Sequence, residues 1–81
     1  MKQDEFLKKV EAVLQMRIGK IVANSVLKNN LAKMNKPVES LSRNDMETLI
    51  EDITKGVQLF ESKDESKLVN KELKDLLTTF G

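Results

Sequence analysis

The sequence predicts an all-α fold: a bundle of three to four helices joined by short loops, in a single domain over residues 1–81. Three observations predict it. Apolar residues recur at helical spacing through almost the whole chain. Two segments open on a serine with an acid three residues on, the pattern of a helix N-terminus. Aromatic residues make up only 4% of the chain, and there is one Pro and three Gly, a composition that points to helices. A chain of 81 residues is one domain at most, because domains usually hold about 100–150 residues.

The first helix is predicted at about 3–16. Phe6, Leu7, Val10, Val13 and Leu14 follow the i, i+1, i+4, i+7, i+8 rule for one face. Asp4 and Glu5 suit the positive end of the helix dipole and stand four residues ahead of Lys8 and Lys9. Gly19 then interrupts the pattern, and glycine costs about 1 kcal/mol inside a helix, so a break or kink is expected there. A second helix is predicted at about 18–34. Ile18, Ile21, Val22 and Val26 face one way; Ala23, Leu27, Leu31 and Met34 drift round to another. An arc this wide marks a helix in the middle of a bundle or at a subunit interface.

Asn35-Lys36-Pro37 ends that helix, because proline cannot continue the ladder and pushes its predecessor out of the α region. Residues 37–41 form a connector with Val38 and Leu41 tucked against the core. Ser42 with Asp45 is a weaker relative of the capping box, which prefers Glu or Gln. The third helix, about 43–61, carries Met46, Leu49, Ile50, Ile53, Val57 and Phe60, and Gly56 within it reads as close packing. Ser62 with Glu65 is the better box and opens a fourth helix at about 63–79, striped by Leu68, Val69, Leu73, Leu76, Leu77 and Phe80.

The residue types that are missing narrow the chemistry. There is no His for acid–base work near neutral pH, and no Cys for nucleophilic catalysis, disulfides or thiolate metal sites. Glu47 and Glu51, four apart, read as the solvent side of a helix, with Glu51 pairing Lys55. Glu61, Asp64 and Glu65 fail as a calcium loop, since no Gly lies between 57 and 80 and a loop starting at Asp64 puts Leu68 at a ligand position. Ser25 with Lys28 and Ser66 with Lys67 are the close Ser–Lys pairs, neither in a nucleophile motif. The methionines read as gap-filling core, Met1 alternatively as the initiator. No enzyme activity, metal or cofactor is expected.

Charge is divided unevenly. Residues 1–37 hold eight basic and three acidic residues, net +5; residues 38–81 hold six and ten, net −4. The two halves are expected to attract each other, within one chain or between two. The second reading is a nucleic-acid face built from Arg17, Lys20, Lys28, Lys33 and Lys36. If Gly19 marks a helix-turn-helix turn, the second helix presents Lys20, Ser25, Lys28 and Asn29 to a groove. Against it, nearly all the basic residues are Lys, the three Phe lie on apolar stripes with no ring left to stack a base, and the second helix is rich in apolar residues. No segment reads as a signal peptide or is long enough to span a membrane, and the absence of cysteine fits a reducing compartment, so a cytoplasmic location is expected.

Ile18-Gly19-Lys20-Ile21-Val22, a helix ending near Lys36-Pro37, then Leu41-Ser42, Asp45-Met46 and Leu49-Ile50 resemble a small helical module of bacterial and archaeal signalling proteins. That module commonly reads Ile-Gly-Pro-Ile-Ala where this chain has Lys20 in place of the proline. The resemblance covers about residues 14–60 and implies an accessory or interaction role with no catalytic residue to transfer. The expected function is a non-catalytic, self-associating interaction or regulatory module, a homodimer with a further protein partner. Its contact surface is expected on Ile18, Val22, Val26, Leu27 and Leu31, because one small core should not cover both sides of the second helix.

Overall fold

A computed structural model describes residues 2–80; Met1 and Gly81 lie outside the described residues. Four helices follow one another: α1 (Lys2–Ile18), α2 (Lys20–Met34), α3 (Arg43–Phe60) and α4 (Lys63–Thr78), with one turn of 3-10 helix, Val38–Ser40, between α2 and α3. There is no strand among the described residues. The predicted all-α bundle is the observed architecture.

Gly19 alone separates α1 from α2. Its φ of 87° and ψ of 161° lie in a region that is essentially glycine-only, because a Cβ there clashes with the backbone. Its N–H still donates to Gln15 O, closing α1, and its carbonyl accepts from Ala23 N, opening α2. One residue therefore reverses the chain with no loop. The first helix runs on to Ile18, beyond the predicted end, because this glycine alone sets the boundary.

The four helices alternate in direction. Leu7 on α1 lies beside Leu27 on α2, and Glu11 beside Ser25. Val26 on α2 faces Gly56 on α3, while Lys36 reaches Asp45. Thr54 on α3 meets Asn70 on α4, and Glu51 meets Lys74. Phe6 and Phe80 close α1 onto α4 at one end, with ring centroids 5.2 Å apart, and Arg17 holds Glu72 nearer the other. The main contacts thus run round a ring, α1–α2–α3–α4–α1, the arrangement of an antiparallel bundle with short connections.

The core follows the predicted stripes on α1 and α3, where Leu14, Met46, Leu49, Ile50 and Ile53 are fully buried. Each such side chain contributes about 1.5–3 kcal/mol by leaving water. Leu41 is buried and Val38 packs beside it, as expected. Three stripe members fall outside: Ile21, Phe60 and Leu68 are exposed, and Met16, read as gap-filling core, also projects into solvent. Ser66 is buried in place of Leu68; its hydroxyl donates to Lys63 O at 2.8 Å, so the polar group is satisfied within its own helix.

The two caps exchange rank. Ser42 and Asp45 form the full reciprocal box: Asp45 N donates to Ser42 Oγ at 3.1 Å and Ser42 N donates to Asp45 Oδ2 at 3.0 Å. Ser62 accepts from Glu65 N at 3.1 Å, but the Glu65 carboxylate turns to Arg17 and does not return the bond. Gly56 sits inside α3 as predicted. A Cβ on it meets Val26 Cγ1 at 3.4 Å, an ordinary contact, so this glycine deepens a groove and is not required by the backbone.

The two glycines therefore predict opposite outcomes. Gly19→Ala has open space for its Cβ but a forbidden backbone, and should lower unfolding stability by about 1–3 kcal/mol. Gly56→Ala should hold or raise stability, by up to about 1 kcal/mol from helix propensity. Urea denaturation of both variants followed by circular dichroism checks the pair.

Candidate interaction surfaces

The surface expected for self-association does not stand open. Val26 is 4% and Leu27 6% exposed; both belong to the core of the single chain. Ile18, Val22 and Leu31 are half-buried against that core. The correction has a geometric cause. In a ring of four helices α2 touches α1 on one flank and α3 on the other, so two neighbours consume the wide arc that seemed too much for one core. Asn30 shares this buried face, its Nδ2 donating to Val26 O at 2.8 Å.

The open apolar surface lies elsewhere. Met16, Ile21 and Leu59 each keep more than four-fifths of their area in solvent, and Phe60 and Leu68 about half. All five lie towards one end of the bundle, Met16, Ile21, Leu59 and Leu68 on the outer sides of their helices. Met16 is two residues from the end of α1, Ile21 is the second residue of α2, and Leu59 and Phe60 are the last two of α3. Leu68 stands about 8 Å into α4 at 1.5 Å per residue. Alternation of helix direction places the Gly19 reversal and the α3–α4 turn at this same end. Charged residues of both signs surround it: Lys20, Lys63 and Lys67 with Glu61 and Asp64.

The opposite end is sealed. Phe6 packs on Phe80, Leu41 is buried, Gln3 Nε2 donates to Glu39 O at 3.1 Å, and Arg43 Nη1 donates to Phe80 O at 3.2 Å. Sequence reasoning missed the open end because Met16 and Leu59 lie off the helical stripes. The signal was available: apolar residues out of register beside a turn have no core position to occupy.

The basic set Arg17, Lys20, Lys28, Lys33 and Lys36 is also divided. Arg17 points across to α4, where its Nε donates to Glu72 Oε1 at 3.0 Å, its Nη2 contacts the same oxygen, and its Nη1 lies 3.9 Å from Glu65. The hydrogen bond to Glu72 holds its guanidinium above its already high ordinary pKa. Lys36 binds both oxygens of Asp45, at 3.1 and 3.2 Å. Lys20, Lys28 and Lys33 are exposed on α2 and make no ion pair among the described residues. The expected attraction between the two halves is thus realised through Arg17 and Lys36, and a remainder stays on α2. A helix-turn-helix is not formed, since α1 and α2 lie antiparallel side by side.

The other candidates are held apart or used locally. Glu51 pairs with Lys74 at 3.2 Å, not with Lys55, and neither Asp4–Lys8 nor Glu5–Lys9 closes among the described ion pairs. Ser66 is buried while Lys67 is exposed, so they do not meet as a dyad; Ser25 and Lys28 are both exposed on α2. No group of three acidic residues among those described could hold a metal ion, and no described helix is long and apolar enough to cross a membrane. No family model, no curated protein and no solved structure matches the chain.

Asp45 generates a pH prediction. The Ser42 N–H first, then Lys36, hold its carboxyl below the usual carboxylate range. A depressed folded pKa gives stability that is present above the unfolded value and lost as pH falls through the folded one. Asp45→Asn should therefore lower the urea midpoint at pH 7, and the gap from the parent chain should narrow steadily below about pH 4.

Proposed function

We propose that this chain is a non-catalytic helical interaction module that self-associates end to end, apposing two copies of the surface formed by Met16, Ile21, Leu59, Phe60 and Leu68. The observation that carries the reading is the contrast between ends: one is sealed by aromatic packing and side-chain hydrogen bonds, while the other leaves five large apolar side chains in water. Exposed apolar clusters rimmed by polar residues mark contact sites. A second copy suits this one because the rim carries both charge signs, so a two-fold arrangement can set Lys63 or Lys67 of one copy against Glu61 or Asp64 of the other. A homodimer acting in the cytoplasm beside a further protein partner fits the absence of cysteine and the accessory role implied by the resemblance around Gly19.

Area bounds the strength. The bundle measures 23 × 18 Å across, so each end offers about 400 Å² and an end-to-end pair buries about 800 Å² in total. Stable interfaces bury about 1,200–2,000 Å²; this one belongs to the weak, reversible class.

Sedimentation equilibrium tests it. From about 20 μM to about 1 mM, a range set by micromolar-to-millimolar affinity, the apparent mass should rise from 9.2 kDa toward twice that value. Leu59→Ser with Phe60→Ser, both at exposed positions, should stay monomeric with an unchanged thermal melt. A parent chain that remains monomeric throughout, or a variant that associates equally well, refutes the reading.

A further inference from the structure

The sequence contains no acidic residue between Glu11 and Glu39, and α2 is the one helix made entirely from that stretch. Folding sorts most of it, leaving Ile21 exposed on the outer side. Ala23, Val26, Leu27 and Asn30 turn inwards, and Lys20, Asn24, Ser25, Lys28, Asn29 and Lys33 turn outwards. The objection that this helix is too apolar to present a polar face is therefore narrowed to one residue, because α1 and α3 take up its large apolar side chains except Ile21. At about 100° per residue, Ile21, Lys28 and Ser25 lie near the middle of the outward arc, where Ile21 can meet a thymine methyl group, and Lys20 and Lys33 lie on its opposite edges about 20 Å apart along the axis.

We propose that the outer face of α2 docks in the major groove of duplex DNA. The groove is about 12 Å wide and admits one α-helix; α2 stands at a corner of the four-helix ring, with neighbours only on its inner flanks. In that seat Lys20 and Lys33 reach phosphates on opposite walls, Lys28 follows the groove between them, and Asn24, Ser25 and Asn29 face base edges with both donors and acceptors. The flanks moderate the field. Glu11 lines a groove with Lys20, and Asp52 lines another with Lys33 and Lys55. Phe60 borders the second groove and is exposed, so one aromatic ring is not consumed by the core. This inference does not rest on self-association.

The test is fluorescence anisotropy of the full chain with a labelled duplex of roughly 20 base pairs, long enough for two turns of groove. Three phosphate contacts predict a log–log salt slope near −2.7, which is an affinity loss of about 40-fold between about 50 and 200 mM salt. Lys20→Gln with Lys28→Gln and Lys33→Gln should weaken binding at least about tenfold at the lower salt. The same three changes away from both surfaces, at Lys9 on α1 and Lys71 and Lys74 on α4, should leave it within about twofold, as non-contacting positions require. Melting curves confirm that both variants are folded. No binding at about 50 mM salt, equal losses in the two variants, or displacement by a polyglutamate peptide as effective as that by unlabelled duplex overturns the proposal, the last in favour of an acidic protein partner.

Discussion

A single backbone geometry, the glycine-only positive-φ reversal at Gly19, sets how the two ends of this bundle differ. With φ at 87°, one residue ends α1 and begins α2 with no intervening loop. The α3–α4 link is nearly as short, through Glu61 and Ser62. At the other end the chain crosses from Asn35 to Ser42 by way of Pro37 and a 3-10 turn, and that longer path has the material to cover the core. Leu41 enters the interior, Val38 packs beside it, and Gln3 fastens the connector to α1. The open end and the sealed end are consequences of unequal connector length.

Much of this was legible in the sequence, for a physical reason that also sets the limit. On α3 the apolar residues fill one narrow face, and a narrow face can only turn inwards; Met46, Leu49, Ile50, Ile53 and Val57 are all buried. On α2 the apolar arc is wide. Periodicity states its width but not how many neighbours share it, so Val26 and Leu27 read as surplus when α1 and α3 each cover a flank. The open end was illegible for the complementary reason, since it is assembled from the ends of four helices and from residues such as Met16 and Leu59 that belong to no stripe. Capping residues identified both helix starts correctly, but not which acid would return its bond. That depended on Arg17, a residue distant in sequence that draws Glu65 away from Ser62.

Electrostatics acts here more as alignment than as stability. Every described ion pair joins two different elements, and three of the four run from the basic half to the acidic half. Exposed pairs of this kind contribute about 0–1 kcal/mol each, well below the contribution of a buried leucine. Their direction matters more: Arg17 reaches only α4, and Lys36 reaches only the start of α3. Neither cation, one on α1 and one in the connector, therefore adds to the outer side of α2. What remains there is a short positive face of three lysines, narrower than the charge count of the first half suggests.

The two proposed surfaces meet at Ile21, one towards the end of the bundle and one along its side. Two copies joined end to end would leave both α2 faces uncovered, one on each. On a linear polyanion the second face then binds within the same complex, at an effective concentration fixed by the distance between the faces and not by bulk dilution. On these two proposals, three phosphate contacts per copy would give a modest affinity, and a weak end-to-end contact a modest dimer. Each would raise the occupancy of the other, because a polymer bound by one copy would concentrate its neighbour and a dimer would offer the polymer two faces. A chain of this size, with a core too small for a large interface, can in this way reach useful affinity by coupling two weak contacts.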